Sequence, residues 1–201
     1  MLISQRQKRK QHQTVAALKK ALVQLILDNN DIGEITVSEI AGQADLNRGT
    51  FYAHYHDKNE MIEDLFHDAV DGFTHALREP YKDVRRVALD GIVPSTKLIF
   101  EHIENNKDLF KALSLIRLTP NLYDRLEQAS WTIFTEEMSF EREAGSTETE
   151  YEMFLSYQIH STLGVIKFWI RKDFKYSADY VCRQLTSYYS EKITAMVITK
   201  P

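Results

Sequence analysis

Three helix starts fall within one short stretch, Ile35 to Leu65, and this spacing constrains the fold more than any other feature of the chain. Thr36 opens a capping box of the form T-x-x-E, Asn47 is a favourable N-cap, and Asp57 opens a second capping box. Starts this close together leave room only for short helices that meet at sharp angles. The stretch therefore predicts a helix-turn-helix followed directly by a longer supporting helix.

Apolar residues at spacings of three and four give each short helix one buried face. They are Val37, Ile40, Ala41 and Ala44 in the first helix, and Leu46, Phe51 and Tyr55 around the second, which is predicted over Arg48 to Tyr55. Asp45 lies in the turn between the two. Because Asp tolerates left-handed backbone better than most residues, we expect the turn to form there.

Two groups of letters carry a resemblance to a known family, T-V-x-x-I-A from Thr36 to Ala41 and R-G-T-F-Y-x-H-Y from Arg48 to Tyr55. They resemble the DNA-binding domain of the TetR family of one-component bacterial regulators, which usually carries Gly in place of Asp45. The resemblance implies an all-α protein of about nine helices. It also implies a three-helix DNA-binding domain over residues 1–57 and a larger helical domain for ligand binding and dimerisation over residues 58–201.

Composition limits the classes of protein that need be considered. The hydrophobic content is 43%, enough for a real core. The chain has no apolar run of 18 residues and no apolar segment at its N-terminus, so we expect neither a membrane span nor a signal peptide. A single cysteine, Cys182, fits a reducing compartment, and the expected location is the cytoplasm.

Sequence motifs of enzymes and metal sites are missing as well. The chain has no Walker loop, G-x-S-x-G or dinucleotide fingerprint, and its histidines and cysteine lack spacings such as HExxH or CxxC. These absences argue against catalysis, a cofactor and a bound metal.

Charge is divided unevenly along the chain. Residues 1–58 carry eight basic and six acidic side chains, whereas the remainder carries seventeen and twenty-three. A positive head on a negative body is the pattern expected when one end touches phosphates. The basic arm from Arg6 to Lys10 is expected either to reach the minor groove or to remain disordered. Basic residues of the first twenty are Arg6, Lys8, Arg9, Lys10, Lys19 and Lys20.

Helical periodicity continues through the rest of the chain. The predicted helices outside the helix-turn-helix run from about Thr14 to Asn29, Lys58 to Leu77, Ser95 to Glu104, Lys107 to Leu115, Thr119-Pro120 to Arg142, residues 148–172, and Ser177 to Ile198. In this scheme Thr119 is an N-cap with Pro120 at the first helical position.

The segment Asn47 to Tyr55 is the predicted recognition helix and is expected to enter the major groove, with Asn47 itself among the candidate DNA contacts. Arg48 is the candidate base reader, because its guanidinium matches O6 and N7 of guanine, and a phosphate contact is the alternative. Gly49 lets the backbone approach the duplex. Thr50 is expected to touch a phosphate or a thymine methyl group.

Four more side chains are candidate contacts to the DNA backbone. Tyr52 and His54 are expected to bond phosphates, although Tyr52 could instead pack on the surface and His54 could be structural. Lys58 lies at a helix N-terminus, where its charge opposes the helix dipole, and that local cost favours a phosphate partner. Thr36, also at a helix start, is the fourth.

The last two predicted helices are broadly apolar, which suits either the monomer core or a dimer interface. The resemblance implies a four-helix bundle with two such helices from each subunit, and two half-sites about 34–36 Å apart also favour a homodimer. Small residues let another helix approach closely. The candidate interface residues are Ser161, Gly164, Phe168, Leu185 and Tyr189.

The resemblance also implies a small-molecule effector in the larger domain, with helix movement changing the spacing of the two DNA-binding heads. The candidate lining is aromatic, with histidine as a polar contact, and ordinary core packing is the alternative. The candidates are Phe100, Phe110, Trp131, Phe134, Phe154, Tyr157, His160 and Trp169.

Two functions follow from these observations. The first is a ligand-responsive repressor that binds a palindromic operator as a homodimer. The second rests on HSTLGVIKFWIRKDF, from His160 to Phe174. This segment resembles a TetR subgroup, found mostly in Firmicutes, that includes coregulators of dihydroxyacetone metabolism acting with a protein partner. The alternative is therefore a partner-dependent activator or coregulator with weak DNA binding of its own.

Overall fold

The computed structural model describes residues 2–29, 32–87, 93–140 and 150–188, with side chains from residue 7 onward. Within these residues the fold is all-α, as predicted, and none of the helices is long and apolar enough to cross a membrane. The helices are α1 (Leu2–Asn29), α2 (Val37–Gln43), α3 (Arg48–Tyr52), α4 (Lys58–Arg78), α5 (Pro94–Asn105), α6 (Lys107–Leu115), α7 (Leu122–Glu136), α8 (Tyr151–Arg171) and α9 (Ala178–Tyr188).

The start of α1 and the end of α3 differ from the prediction. α1 begins at Leu2 instead of near Thr14, so the described part of the basic arm is helical. α3 ends at Tyr52, and the chain then continues in hydrogen-bonded turns to Tyr55, whose N–H donates to the carbonyl of Phe51 at 3.0 Å. The predicted end of the last helix near Ile198 lies outside the described residues.

The predicted start of α7 at Thr119 and Pro120 is wrong. Asn121 is the N-cap, because its Oδ1 accepts from the N–H of Asp124 at 3.3 Å while the Asp124 carboxylate accepts from the Asn121 N–H at 2.8 Å. This reciprocal pair satisfies two backbone N–H donors, whereas the Thr119 hydroxyl as an N-cap would satisfy only one. α7 also ends at Glu136, before the predicted Arg142.

The cap of α4 is close to the prediction but shifted by one residue. Asp57 accepts from the N–H groups of Asn59 and Glu60, at 2.7 and 2.9 Å. The Glu60 carboxylate, however, accepts from the N–H of His56 at 2.6 Å, not from that of Asp57. The Glu60 side chain therefore satisfies the backbone donor one residue before the one that a capping box would use.

One hydrophobic core runs through the whole described fold, and α4 joins its two ends. Met61 and Leu65 in the first half of α4, and Phe73 and Leu77 in its second half, are all buried in this core. α4 also packs against α5 and α7, and α1 packs against α6. A division of the chain at residue 57 stays a prediction, and α4 contributes to both halves.

Gly72 fixes how α4 and α5 meet. A Cβ atom added at Gly72 would lie 2.3 Å from both Cε1 and Nε2 of His102 on α5. The imidazole has little freedom to move away, because its ring packs edge-on against Phe110 with the centroids 5.7 Å apart. Burial is the main cause that lowers the pKa of His102, and the nearby His75 lowers this pKa further.

We expect Gly72→Ala to destabilise the protein by about 1–3 kcal/mol, because the added methyl group overpacks the α4–α5 contact. In a His102→Ala background the same change should instead stabilise by up to about 1 kcal/mol, since alanine is the better helix former. Urea unfolding of the four proteins in this cycle measures both effects. An equal cost in the two backgrounds would show that His102 is not the obstacle.

Candidate nucleic-acid interface

The helix-turn-helix is held by local hydrogen bonds. The Thr36 hydroxyl accepts from the Glu39 N–H at 3.2 Å, and the Glu39 carboxylate accepts from the Thr36 N–H at 2.8 Å, which confirms the capping box. Asp45 adopts φ of 55°, the left-handed conformation expected for the turn. The N–H of Leu46 donates to the Ala41 carbonyl at 2.8 Å and closes the end of α2.

α3 is only five residues long and depends on its cap and on one buried ring. The Asn47 side chain accepts from the N–H and the hydroxyl of Thr50, at 2.8 and 3.2 Å. Asn47 and Thr50, both predicted DNA contacts, therefore use part of their hydrogen-bonding capacity within the helix. A Cβ at Gly49 would lie 3.1 Å from Asn47 Oδ1. Glycine therefore leaves room for the cap, in addition to the predicted approach to a duplex. Phe51 is fully buried beneath this turn.

The outward face of α3 carries the main candidate DNA contacts. Arg48 and Gly49 are exposed, Tyr52 is 49% exposed, and Thr50 and His54 are half-buried. The Arg48 guanidinium lies 5.9 Å from the centroid of the Tyr52 ring. A cation over the face of an aromatic ring is attracted to it, so Tyr52 can steer the Arg48 side chain across the exposed face.

Lys58 has a different role from the predicted phosphate contact. Its ammonium donates to the carbonyls of Ile32, Gly33 and Ile35, at 2.5, 3.2 and 2.7 Å. An ammonium has three donors, so these carbonyls use all of them. They also explain why lysine lies at the start of α4 against the helix dipole. Lys58 ties α4 to the loop between α1 and α2, and only the fold could reveal this.

The basic residues of α1 separate into two groups. Lys8, Arg9, Lys10 and Lys20 are exposed on the helix surface, whereas the Arg6 side chain lies outside the described residues. Lys19 instead pairs with Asp64 at 2.8 Å and is directed into the protein. The exposed positive charge of the head is therefore smaller than the composition of residues 1–20 indicates.

Three of the predicted effector-lining residues belong to the hydrophobic core. Phe100, Phe110 and Trp169 are fully buried in the core. The Trp169 ring packs 5.4 Å from that of Phe100, and its Nε1 donates to the Tyr176 carbonyl at 2.8 Å. This arrangement is the core packing left open as the alternative.

The other five candidates lie nearer the surface. Trp131, Phe134 and Phe154 are half-buried, Tyr157 is 63% exposed, and His160 is exposed, with its Nε2 3.2 Å from the Glu127 carboxylate.

A groove of about 540 Å³ lies between α4 and α7, at residues that no sequence pattern had indicated. Its floor includes Phe66 and its ends are closed by ion pairs between the two helices. Arg125 bonds both oxygens of Glu63, at 2.8 and 2.9 Å, and Arg78 bonds both oxygens of Glu137, at 2.7 and 2.6 Å. Each pair joins residues about sixty positions apart, so no local pattern could reveal it.

The candidate dimer residues divide between the surface and the core. Gly164 and Phe168 lie on the exposed side of α8, Ser161 is half-buried, and a Cβ at Gly164 would meet nothing within 4 Å. Leu185 of α9 is buried within the subunit, so the structure does not offer it to a partner. Tyr189 lies outside the described residues.

Comparisons with known proteins agree with this architecture. The TetR C-terminal family model described as the transcriptional regulator C-terminal region matches residues 92–191. The uncharacterised HTH-type transcriptional regulator YxbF of Bacillus subtilis (strain 168) is 24% identical over 182 residues, which is 88% of this chain and 45% of that protein. The chain thus spans less than half the length of this relative.

Solved structures share the fold. A TetR transcriptional regulator from Streptococcus agalactiae 2603V is 21% identical, with a TM-score of 0.57 over 92% of this chain and 98% of that one. The fatty acid degradation regulator FadR from Bacillus halodurans is 18% identical, with a TM-score of 0.60 over 86% and 92%. The dihydroxyacetone kinase operon activator DhaS is 15% identical, with a TM-score of 0.55 over 87% and 93%.

The helix-turn-helix, the order of the helices in the described residues and the matched C-terminal region all lead to one family. Each relative given above is named as a regulator or an activator. The chain belongs to the TetR family of transcriptional regulators.

Proposed function

We propose that this regulator binds a palindromic operator as a homodimer and represses transcription until a small molecule is bound. The observation that carries the proposal is the capped α2–α3 unit, which leaves Arg48 and Tyr52 on an exposed face. Arg48 reads a base in the major groove. Thr36, Thr50, Tyr52 and His54 contact the DNA backbone, and Lys58 takes no part.

The homodimer forms through the exposed side of α8. Met153, Tyr157 and Phe168 are 66, 63 and 52% exposed and lie with Gly164 at helical spacing on one side of the helix. Large apolar side chains in a row on a soluble surface are typical of an interface. Gly164 lets a second helix approach closely, and two copies of the head can then meet two half-sites.

Replacing Phe168 by Glu should weaken the dimer about tenfold or more, equivalent to about 1.4 kcal/mol, because a charge would enter an apolar interface. Val84→Glu is the matched control, since Val84 is a similarly exposed apolar residue in a loop outside α8. Sedimentation equilibrium over a range of concentrations measures both. Equal dimer affinity in the two variants would exclude this side of α8 as the interface.

The effector binds in the groove between α4 and α7. Its volume lies within the range of about 300–1,000 Å³ that is usual for small-molecule sites. α4 carries the head, so an occupant that moves α4 away from α7 moves the recognition helix too. Binding among Phe100, Phe110 and Trp169 would first require the core to open.

A second function, partner-dependent activation, has one observation in its favour. Asp45 is exposed in the turn beside the recognition helix, and a carboxylate near phosphates weakens binding. DhaS, a protein of similar fold, is an operon activator by its name. A chain of this kind would bind DNA weakly until its partner is added.

Selection of random duplex DNA by the purified chain, followed by sequencing, tests the proposal and separates the two functions. An enriched palindrome is the expected result for an autonomous dimeric regulator, with affinity that falls as salt rises. A folded dimer that enriches no sequence would count against the repressor and favour the partner-dependent regulator.

A further inference from the structure

Tyr55 connects the end of the recognition helix to α4. Its ring is buried against Phe51, with the centroids 5.7 Å apart. Its hydroxyl emerges from this apolar contact and donates to Oδ2 of Asp64 at 2.7 Å. Tyr55 is therefore held at both ends, by a ring contact to α3 and by a hydrogen bond to α4.

Asp64 joins three segments of the head. Besides the Tyr55 hydroxyl, it receives the ammonium of Lys19 from α1 at 2.8 Å, and Lys19 also pairs with Asp68 at 2.6 Å. Burial would raise the pKa of Asp64, but hydrogen bonds from Lys19 and Tyr55 outweigh it and lower this pKa. The carboxylate is thus ionised at neutral pH and bonds α1 and the end of the recognition segment together.

The neighbouring carboxylate, Glu63, bonds a different part of the fold. Glu63 bonds Arg125 of α7, at 2.8 and 2.9 Å, and the guanidinium lies 4.3 Å from the centroid of the Phe66 ring. One turn of α4 is therefore bonded to the head through Asp64 and to the larger domain through Glu63. The turn of α4 that holds the recognition segment is therefore the same turn that is bonded to α7.

We propose that Tyr55 and Asp64 are positioning residues for DNA recognition: their hydrogen bond fixes α3 on α4 so that Arg48 meets its base in register. The proposal rests on the proposed function, and neither residue touches DNA in it. α3 has five residues and buries only Phe51. Without the second attachment at Tyr55, the short helix can rotate about that single buried ring.

Loss of the attachment at Tyr55 should affect specific and non-specific DNA binding differently. Reading a base requires a side chain to be held within about 0.5 Å and 10–20° of its bound geometry. Non-specific binding depends instead on the number of cations near phosphates. Loosening α3 without changing charge should therefore lower affinity for the operator and leave affinity for random duplex unchanged.

Tyr55→Phe is the central variant, because it removes one oxygen and keeps the ring and the charge. Asp64→Asn weakens the same contact from the other side, because a neutral amide oxygen accepts less strongly than a carboxylate. Asp68→Asn is the matched control, since Asp68 also pairs with Lys19 and has no bond to Tyr55. Two quantities are measured for each full-length protein: amide hydrogen exchange of residues 48–56 without DNA, and the ratio of affinities for selected operator and random duplex at one salt concentration.

We expect exchange in residues 48–56 to become about tenfold faster in Tyr55→Phe and Asp64→Asn, and the affinity ratio to fall about tenfold. In Asp68→Asn both should stay near those of the wild type. Unchanged exchange and an unchanged ratio in Tyr55→Phe would overturn the proposal. A loss confined to thermal stability would also overturn it, because a purely structural bond does not alter the ratio of a folded protein.

Failure of the proposed function gives a different result. In that case the wild-type protein enriches no operator, and the exchange measurement alone decides whether the bond holds α3 in place.

Discussion

Replacing Trp169 by alanine is expected to lower the free energy of unfolding by about 3–5 kcal/mol, the cost usual for removing a large buried aromatic side chain. The ring is fully buried and packs against Phe100 and Phe174, with centroids 5.4 and 5.0 Å away. Alanine would leave a cavity there. It would also leave the Tyr176 carbonyl without its indole donor. Urea unfolding, followed by circular dichroism, measures the loss.

Two further variants separate the contributions. Trp169→Phe keeps most of the ring and loses the indole donor, so about 1–3 kcal/mol is expected for the unpaired carbonyl and the lost volume. Leu118→Ala is the control, because Leu118 is exposed and its removal should change stability by less than about 0.5 kcal/mol. If Trp169→Ala were as stable as the wild type but responded differently to the effector, Trp169 would be assigned to the ligand site instead of the core.

The sequence predicted the local features of the head well, because their causes lie within a few residues of one another. The Thr36 capping box, the Asn47 cap and the left-handed Asp45 each depend on hydrogen bonds or backbone preferences that span three or four residues. Steric and capping rules act at that range irrespective of the fold. The all-α architecture followed from the same local periodicity.

Contacts between distant segments could not be predicted in this way. Lys58 is attached to carbonyls 23 to 26 residues away, and Tyr55 to a carboxylate nine residues away on another helix. In the sequence, the charge of Lys58 at a helix start indicated a phosphate partner. The carbonyls that accept from its ammonium belong to a loop distant in sequence, so no local pattern showed them. Aromatic residues at helical spacing posed the same difficulty, because the pattern is identical for a core and a pocket.

The internal pairing of basic residues also changes what charge implies about DNA binding. Lys19 and Lys58 are both occupied within the head, so the cations available to phosphates come mainly from the first turns of α1 and from Arg48. Few phosphate contacts mean a modest salt dependence. Specificity then depends more on how accurately α3 is held than on total charge, which makes Arg48 the most informative residue to change.

Replacing Arg48 by alanine is expected to cost about 1–3 kcal/mol for each half-site, the usual value of a bidentate contact to guanine. A dimer has two half-sites, so the loss of operator affinity should be the largest of any single substitution on the exposed face of α3. Arg48 is exposed and lies one residue after the Asn47 cap, so its removal should leave the fold intact. Sequencing of duplexes selected by the variant measures both affinity and specificity.

The pattern of loss identifies what Arg48 contacts. If it reads a base, the variant should accept any base at one position in each half-site and keep its preferences elsewhere. Arg48→Lys should share this relaxation, because lysine keeps the charge and lacks the planar fork. Lys20→Ala is the control, since an exposed lysine of α1 that contacts phosphates should weaken binding to all sequences alike. An equal loss on every duplex from Arg48→Ala would assign Arg48 to the DNA backbone instead.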